Sequence, residues 1–246
     1  MCGTCGCGED TVHVHPHDTG HDHPHTVVLE ERVLGRNDDL AAQNRAELTA
    51  QGIVAINLMS SPGSGKTTLL ERTLRDLRTD RPICVVEGDQ ETTLDADRIR
   101  ATGAPVVQIN TGSGCHLDAA MLRRATAALA LPPRALLFVE NVGNLVCPAL
   151  FDLGETARVI VMSVTEGDDK PLKYPHMFRT ADLVLLNKAD LLPYVDFDPD
   201  RCAAHVRALR PQAEVRVVSA TRGTGLTGWY GWLDALLAVD NGAARA

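Results

Sequence analysis

Three thiols fall within the first seven residues, MCGTCGC, at positions 2, 5 and 7. Shortly after, HVHPHDTGHDHPH places six of the chain's nine histidines between positions 13 and 25. Thiolate sulfur with nitrogen donors favours square-planar Ni(II), with tetrahedral Zn(II) as the competitor. Cys2, Cys5 and Cys7, together with backbone amides and a terminal amine, can therefore enclose one ion tightly. His13, His15, His17, His21, His23 and His25 are mostly neutral at pH 7 and bind several ions loosely, which suits a reservoir or capture arm. The alternative for this tract is a solvated low-complexity linker, since His-rich composition alone fixes no geometry.

A second set of soft ligands lies further on. Cys115 and His116 sit in NTGSGCHLDAA and Cys147 in NVGNLVCP, each segment following an apolar run. Two thiolates and an imidazole suit Zn(II) or Ni(II), with a fourth position for water or a partner. The alternative is two buried cysteines and a helix-start histidine that never meet. Cys84, within an apolar run, and Cys202, within an amphipathic stretch, are expected in the core and not as ligands.

The third group reads as a nucleotide site. LMSSPGSGKTT follows one apolar run and opens a helical stretch, the context that makes a phosphate-loop match credible. Backbone N–H groups of Gly63, Ser64, Gly65 and Lys66 can wrap phosphate oxygens at the start of that helix, which Thr68 continues. Lys66 would reach the β- and γ-phosphates and the Thr67 hydroxyl would ligate Mg²⁺. The customary first glycine of such a loop is Ser60 here, which serves if its backbone is not left-handed. About 120 residues later, NKAD supplies Asp190, whose carboxylate can accept from the N1–H and the exocyclic amine of guanine. Adenine would leave that carboxylate unpaired, at about 1–3 kcal/mol or more. Asn187 and Lys188 would brace the loop and cover the base, and Ser219 and Ala220 of SAT follow the last apolar run, so GTP is the expected nucleotide. Asp89 in EGDQETTLDAD and Glu140 in FVENVGN are expected in the Mg²⁺ sphere, with the Gly143 N–H on the γ-phosphate; solvated strand-end carboxylates are the alternative. No water-orienting group stands out, so hydrolysis is expected to be slow.

The elements that would position these residues are legible as seven apolar runs, at 53–58, 83–87, 105–110, 135–140, 158–164, 183–187 and 214–219. Amphipathic stretches such as TTLLERTLRDLR and HLDAAMLRRATAALA separate them. Near-continuous apolar strands alternating with helices predict an α/β fold: a mostly parallel sheet flanked by helices, with ligands beyond the strands' carboxyl ends. DDLAAQNRAELTAQ (38–51) predicts a polar, Ala-rich helix behind an Asp cap. Residues 1–26, without apolar periodicity, form a metal-binding tail expected to be disordered without a ligand; residues 27–246 form one P-loop GTPase domain.

The totals exclude several function classes. The net charge is −8, half of it from Glu9, Asp10, Asp18 and Asp22, and no basic cluster offers a nucleic-acid surface. No run approaches the roughly 20 apolar residues of a membrane span, and no signal peptide opens the chain. A cytoplasmic protein with reduced thiols is expected, its seven cysteines serving as ligands or core.

Taken together, NLMSSPGSGKTTLLE, VVEGDQETTLDADRI, TGSGCHLDA, FVENVGNLVCPA, SVTEGDDKPLKYP and LVLLNKADLLPY resemble the HypB family, GTPases that deliver nickel during maturation of nickel–iron hydrogenase. The likeness covers most of residues 33–240, and CGTCGC matches a Cys-x-x-Cys-Gly-Cys start seen in some members. The resemblance implies a tight nickel site at Cys2, Cys5 and Cys7 and a second, weaker one at Cys115, His116 and Cys147. It also implies nucleotide- or metal-dependent homodimerisation, with Lys170 or Lys173 reaching a facing nucleotide, and as partners a HypA-like accessory protein and the hydrogenase large-subunit precursor. Two other functions stand beside it: a urease nickel GTPase of the UreG kind, and a nickel or zinc storage protein with a vestigial nucleotide site.

Overall fold

The computed structural model describes residues 24–77, 79–89, 94–112 and 114–243, with side chains described from residue 32 to residue 238. Cys2, Cys5, Cys7 and the histidines from His13 to His23 lie outside the described residues, as does the side chain of His25.

Each apolar run becomes a strand: β1 (Val54–Ser60), β2 (Ile83–Asp89), β3 (Val106–Asn110), β4 (Leu136–Glu140), β5 (Ala157–Ser163), β6 (Leu183–Asn187) and β7 (Glu214–Val217). They form one sheet in the order β3-β2-β4-β1-β5-β6-β7, and every pair is parallel. The helices are α1 (Pro24–Ala50), α2 (Lys66–Asp76), α3 (Leu94–Arg100), α4 (Ala119–Leu129), α5 (Cys147–Leu150), α6 (Lys170–Lys173), α7 (Pro175–Arg179), α8 (Pro199–Leu209) and α9 (Leu226–Ala243).

The period of two along each strand decides which helix covers which residue. Val54, Ile56 and Leu58 of β1 face a core built with Leu69 and Leu70 of α2 and Trp229 and Leu233 of α9. Their neighbour Ala55 points the other way, into a core with Leu48 of α1 and Leu122 of α4, while Met59 joins one with Phe178 of α7 and Val206 of α8. All seven residues of β1 are buried, as expected of a central strand covered on both faces. Cys84 and Cys202 lie in these cores. Burial raises both thiol pKa values, that of Cys202 to about 12.

The N-terminal helix departs from the sequence expectation. It begins at Pro24, and the Asp38–Asp39 pair expected to cap it lies inside it. Its buried face is the stripe Asn37, Ala41, Asn44 and Leu48, which is half amide. Asn37 Nδ2 donates to Asp152 O (2.8 Å) and its Oδ1 accepts from Ala119 N (2.9 Å). Asn44 Nδ2 donates to Ala119 O (2.8 Å) and Leu153 O (3.0 Å). Gly154 (φ +88°) permits this docking, because a Cβ there would lie 2.5 Å from Ala41 O and 2.8 Å from Arg45 N.

Because all strands run one way, the loops after β1, β2, β3, β4 and β6 open on a single edge of the sheet. Asp118 closes the loop after β3 by capping α4, its side chain accepting from Met121 N at 2.7 Å. Among the described residues no helix is long and apolar enough to cross a membrane.

Candidate functional site

The loop between β1 and α2 is built for close approach to an anion. Gly63 (φ +73°) and Gly65 (φ +89°) adopt left-handed backbone, and a Cβ on Gly65 would lie 2.7 Å from Asn187 Nδ2. Ser60, in place of the customary glycine, is the last residue of β1, so its backbone is extended and no glycine is required. A cleft of about 540 Å³ lies over this loop, lined by Gly63–Thr68 and, from the far wall, by Glu87, Asp89, Arg98 and Gly143. Gly143 approaches so closely that a Cβ would stand 3.2 Å from Pro62 Cα.

The polar atoms of the cleft are paired unevenly. Glu140, fully buried, accepts from Lys66 Nζ (2.6 Å) and Thr67 Oγ1 (2.5 Å) on one carboxylate oxygen. Its other oxygen, one oxygen of Glu87 and the Ser64 hydroxyl are buried without a partner among the described residues. Glu87, Asp89 and Glu140 lie on adjacent strand ends, and Glu87 pairs in register with Glu140. Burial, seconded by the charges of Glu140 and Asp89 and opposed by Lys66, pushes the Glu87 pKa up to about 8. Such a set of hydroxyl and carboxylate oxygens, three of them unsatisfied, fits a hard divalent cation. Glu87 was not singled out from the sequence, although an acid ending the apolar run ICVVE was a usable signal.

The loop after β6 is cross-braced to the phosphate loop. Asn187 Nδ2 donates to Ser64 O (2.9 Å), and Lys188 Nζ, from left-handed backbone, donates to Gly63 O (2.7 Å). Asn187 Oδ1 accepts from Ala220 N (3.1 Å), which brings in the loop after β7. The Ser219 hydroxyl donates to the Asp190 carboxylate and holds its pKa below the usual range. Gly65, Thr68, Lys188, Asp190, Ala220 and Thr221 help line a small pocket beside the phosphate cleft. Phosphate loop, NKAD and SAT therefore form one continuous surface.

The three ligands within the domain converge. Cys115 Sγ lies 2.8 Å from Cys147 Sγ and 3.8 Å from His116 Nδ1, and one ligand atom from each of the three falls within 4.8 Å of the others. His116 stacks on Phe151 at 3.9 Å between centroids, and burial lowers its pKa despite the charge of Asp118, so the ring is neutral at pH 7. A neutral imidazole beside two sulfurs is a soft-to-borderline donor set, suited to Ni(II) or Zn(II). Among the described residues this is the one cluster of three such groups. Lys170 and Lys173 point to local partners instead, Glu166 (3.1 Å) and Asp169 (2.6 Å), and Lys170 also covers the Tyr174 ring.

Residues 54–217 match the family model described as CobW/HypB/UreG, nucleotide-binding domain. The hydrogenase maturation factor HypB of Azotobacter chroococcum mcd 1 is 55% identical over 218 residues, which span 89% of this chain and 72% of the relative. The hydrogenase/urease maturation factor HypB of Helicobacter pylori (strain ATCC 700392 / 26695) is 43% identical over 79% of this chain and 81% of its own. The crystal structure of HypB from H. pylori in complex with nickel superposes with a TM-score of 0.79 at 41% identity, covering 83% of this chain and 96% of that one. Likeness at this level, running through the nucleotide loops and the cysteine loops alike, settles descent: the chain belongs to the HypB family of GTPases.

Proposed function

We propose that this protein is a GTP-hydrolysing nickel metallochaperone that delivers nickel to the large-subunit precursor of nickel–iron hydrogenase, with metal release coupled to the nucleotide state. One observation carries the reading. The Cys115–His116–Cys147 cluster shares a sheet edge with the phosphate loop, and Cys147 follows Gly143 by four residues. Gly143 rests on Pro62 of the phosphate loop. A γ-phosphate drawing on the Gly143 N–H would displace this contact, and its loss would return it; Cys147 opens α5 at the end of the same short loop. Altered ligand geometry then becomes altered affinity.

In this reading the phosphate loop and Lys66 hold GTP, Asp190 selects guanine, and Thr67, Asp89 and Glu140 would hold Mg²⁺, with Glu87 beside them. When bound, the cation would neutralise charge developing on the phosphate oxygens. Lys66 and Thr67 share one Glu140 oxygen; the nucleotide competes with that carboxylate for both. Among the described residues no other group stands out to orient a water, so turnover is expected to be slow. The tail thiols Cys2, Cys5 and Cys7 would hold nickel tightly and the tail histidines collect it, with Zn²⁺ competing at both sulfur sites. The protein would act in the cytoplasm as a homodimer, with a HypA-like accessory protein as its neighbour in the transfer. For Lys170 to reach a facing nucleotide it must leave Glu166.

The test is nickel competition against a chromophoric chelator in GDP and in a non-hydrolysable GTP analogue. Affinity differing between the two states, with the difference abolished in Cys115→Ser or Cys147→Ser, is the expected result; equal affinities in the wild type would remove the coupling. The H. pylori relative is named for urease as well as hydrogenase maturation. Urease service is therefore a second reading, separated by which activity the gene restores in a deletion strain.

A further inference from the structure

Between the nucleotide cleft and the sulfur cluster stands one fully buried amide that neither site uses. Asn141 follows Glu140 directly and precedes Val142 and Gly143. Its Oδ1 accepts from two backbone N–H groups, Val142 (3.0 Å) on its own loop and Leu117 (3.1 Å) on the loop after β3. Its Nδ2 donates to Asn57 Oδ1 (3.3 Å), and its backbone N donates to Leu58 O (3.0 Å), both in the central strand.

Leu117 is the residue immediately after His116 and two after Cys115, and it is also fully buried. Its side chain packs on the end of β2: a Cβ on Gly88 would lie 2.8 to 2.9 Å from Leu117 Cγ, Cδ1 and Cδ2. Gly88 stands between Glu87 and Asp89. The short loop bearing two of the three sulfur-cluster ligands thus touches the carboxylate-bearing strand ends at two points. One contact is a hydrogen bond to the residue after Glu140; the other is packing on the residue between Glu87 and Asp89.

We infer that Asn141 and Leu117 are the positioning residues through which the nucleotide state reaches Cys115 and His116. This rests on the nucleotide-coupled release proposed above, and it adds a route distinct from the chain path between Gly143 and Cys147. A shift of Val142–Gly143 must either carry the Asn141 carboxamide with it or break one of the two bonds that its oxygen accepts. Both donors are backbone N–H groups in a dry interior, where an unmet donor is costly, so the carboxamide follows the shift and draws the Leu117 backbone with it. The Leu117 side chain, closed against Gly88, turns a shift of the β2 end into the same response. The two halves of the cluster are then moved by different links from one event. The distance between the sulfurs then depends on both links, whereas moving Cys147 alone would leave Cys115 and His116 in place.

The test uses the full chain carrying Cys2→Ser, Cys5→Ser and Cys7→Ser, so that the tail thiols do not compete. Nickel affinity is measured by chelator competition with Mg²⁺ and either GDP or a non-hydrolysable GTP analogue. The quantity read is the ratio of the two affinities, after subtraction of the tail histidines' binding, which is the same in both nucleotide states. In Asn141→Ala the ratio is expected to fall at least about fivefold toward one, the lower end of ordinary coupling between sites. Affinity for the analogue itself should be retained. Leu117→Val, which removes one methylene from the contact with Gly88, should lower the ratio in the same direction and serves alone if the alanine variant does not fold. A purely structural role would lower thermal stability and leave the ratio where it was. A parent ratio different from one that persists in the variants overturns the role of Asn141 and Leu117 and leaves the proposed function standing. A parent ratio of one overturns both.

Discussion

At neutral pH, Glu87 keeps a proton that an exposed glutamate would have lost. Burial is the first cause, Glu140, Asp89 and Asp95 add to it, and Lys66 opposes it, placing the pKa at about 8 against an ordinary 4.5. In the unfolded chain the group titrates near its ordinary value. Between these two limits the native state therefore binds the additional proton. Stability from this group is fully present below pH 4.5 and is lost as pH rises through about 8. Linkage fixes the slope inside the window at up to about 1.4 kcal/mol per pH unit. Glu87→Gln keeps the shape and cannot titrate. Urea unfolding at stepped pH, with chelator present and without nucleotide, should show the wild type losing about 2 kcal/mol more than the variant between about pH 6 and about pH 7.5. Parallel curves for the two proteins would refute the reasoning, because they would mean that Glu87 is already ionised in the native cleft.

With Asp190 selecting guanine as proposed, Asp190→Asn should cost about 1.5–3 kcal/mol or roughly 10- to 150-fold in GTP affinity, with a gain for xanthine nucleotides; nucleotide competition measures both. Gly154→Ala forces left-handed backbone on alanine and drives a methyl into the backbone of α1. It should cost about 2 kcal/mol or more in thermal or denaturant unfolding. Cys115 on its loop and Cys147 at the start of α5, both half-buried, should be alkylated in the native protein, whereas Cys84 and Cys202 should react only on unfolding. Peptide mass spectrometry after iodoacetamide reads all four at once.

The seven strands were legible because a parallel strand buried on both faces has to be apolar at nearly every position, which leaves a run that composition alone exposes. The phosphate loop and NKAD were legible for a different reason: glycines at positive φ and a lone carboxylate after a strand are what their chemistry requires at those points. The N-terminal helix was read short because its docking face uses Asn37 and Asn44, whose amides bond to backbone of Ala119, Asp152 and Leu153. A hydrophobic periodicity count assigns such a face to solvent. Convergence of Cys115 with Cys147 was open in the sequence, since two loops on one edge can still be far apart; β3 and β4 are separated by β2, and their loops meet across that one strand. Asn141 and Leu117 gave no signal, because a residue that acts by joining two loops has no motif until both loops are placed.

The struts from Asn187 and Lys188 to the carbonyls of Ser64 and Gly63 weld the NKAD loop, the proposed guanine end of the cradle, to the phosphate loop. A nucleotide entering such a frame gains the chelate advantage: once one end is seated, the other is presented at high effective molarity. Guanosine and inorganic pyrophosphate offered separately should bind far more weakly than their joint affinity in GDP would suggest. Cutting either strut should weaken the whole nucleotide while leaving each fragment nearly unaffected.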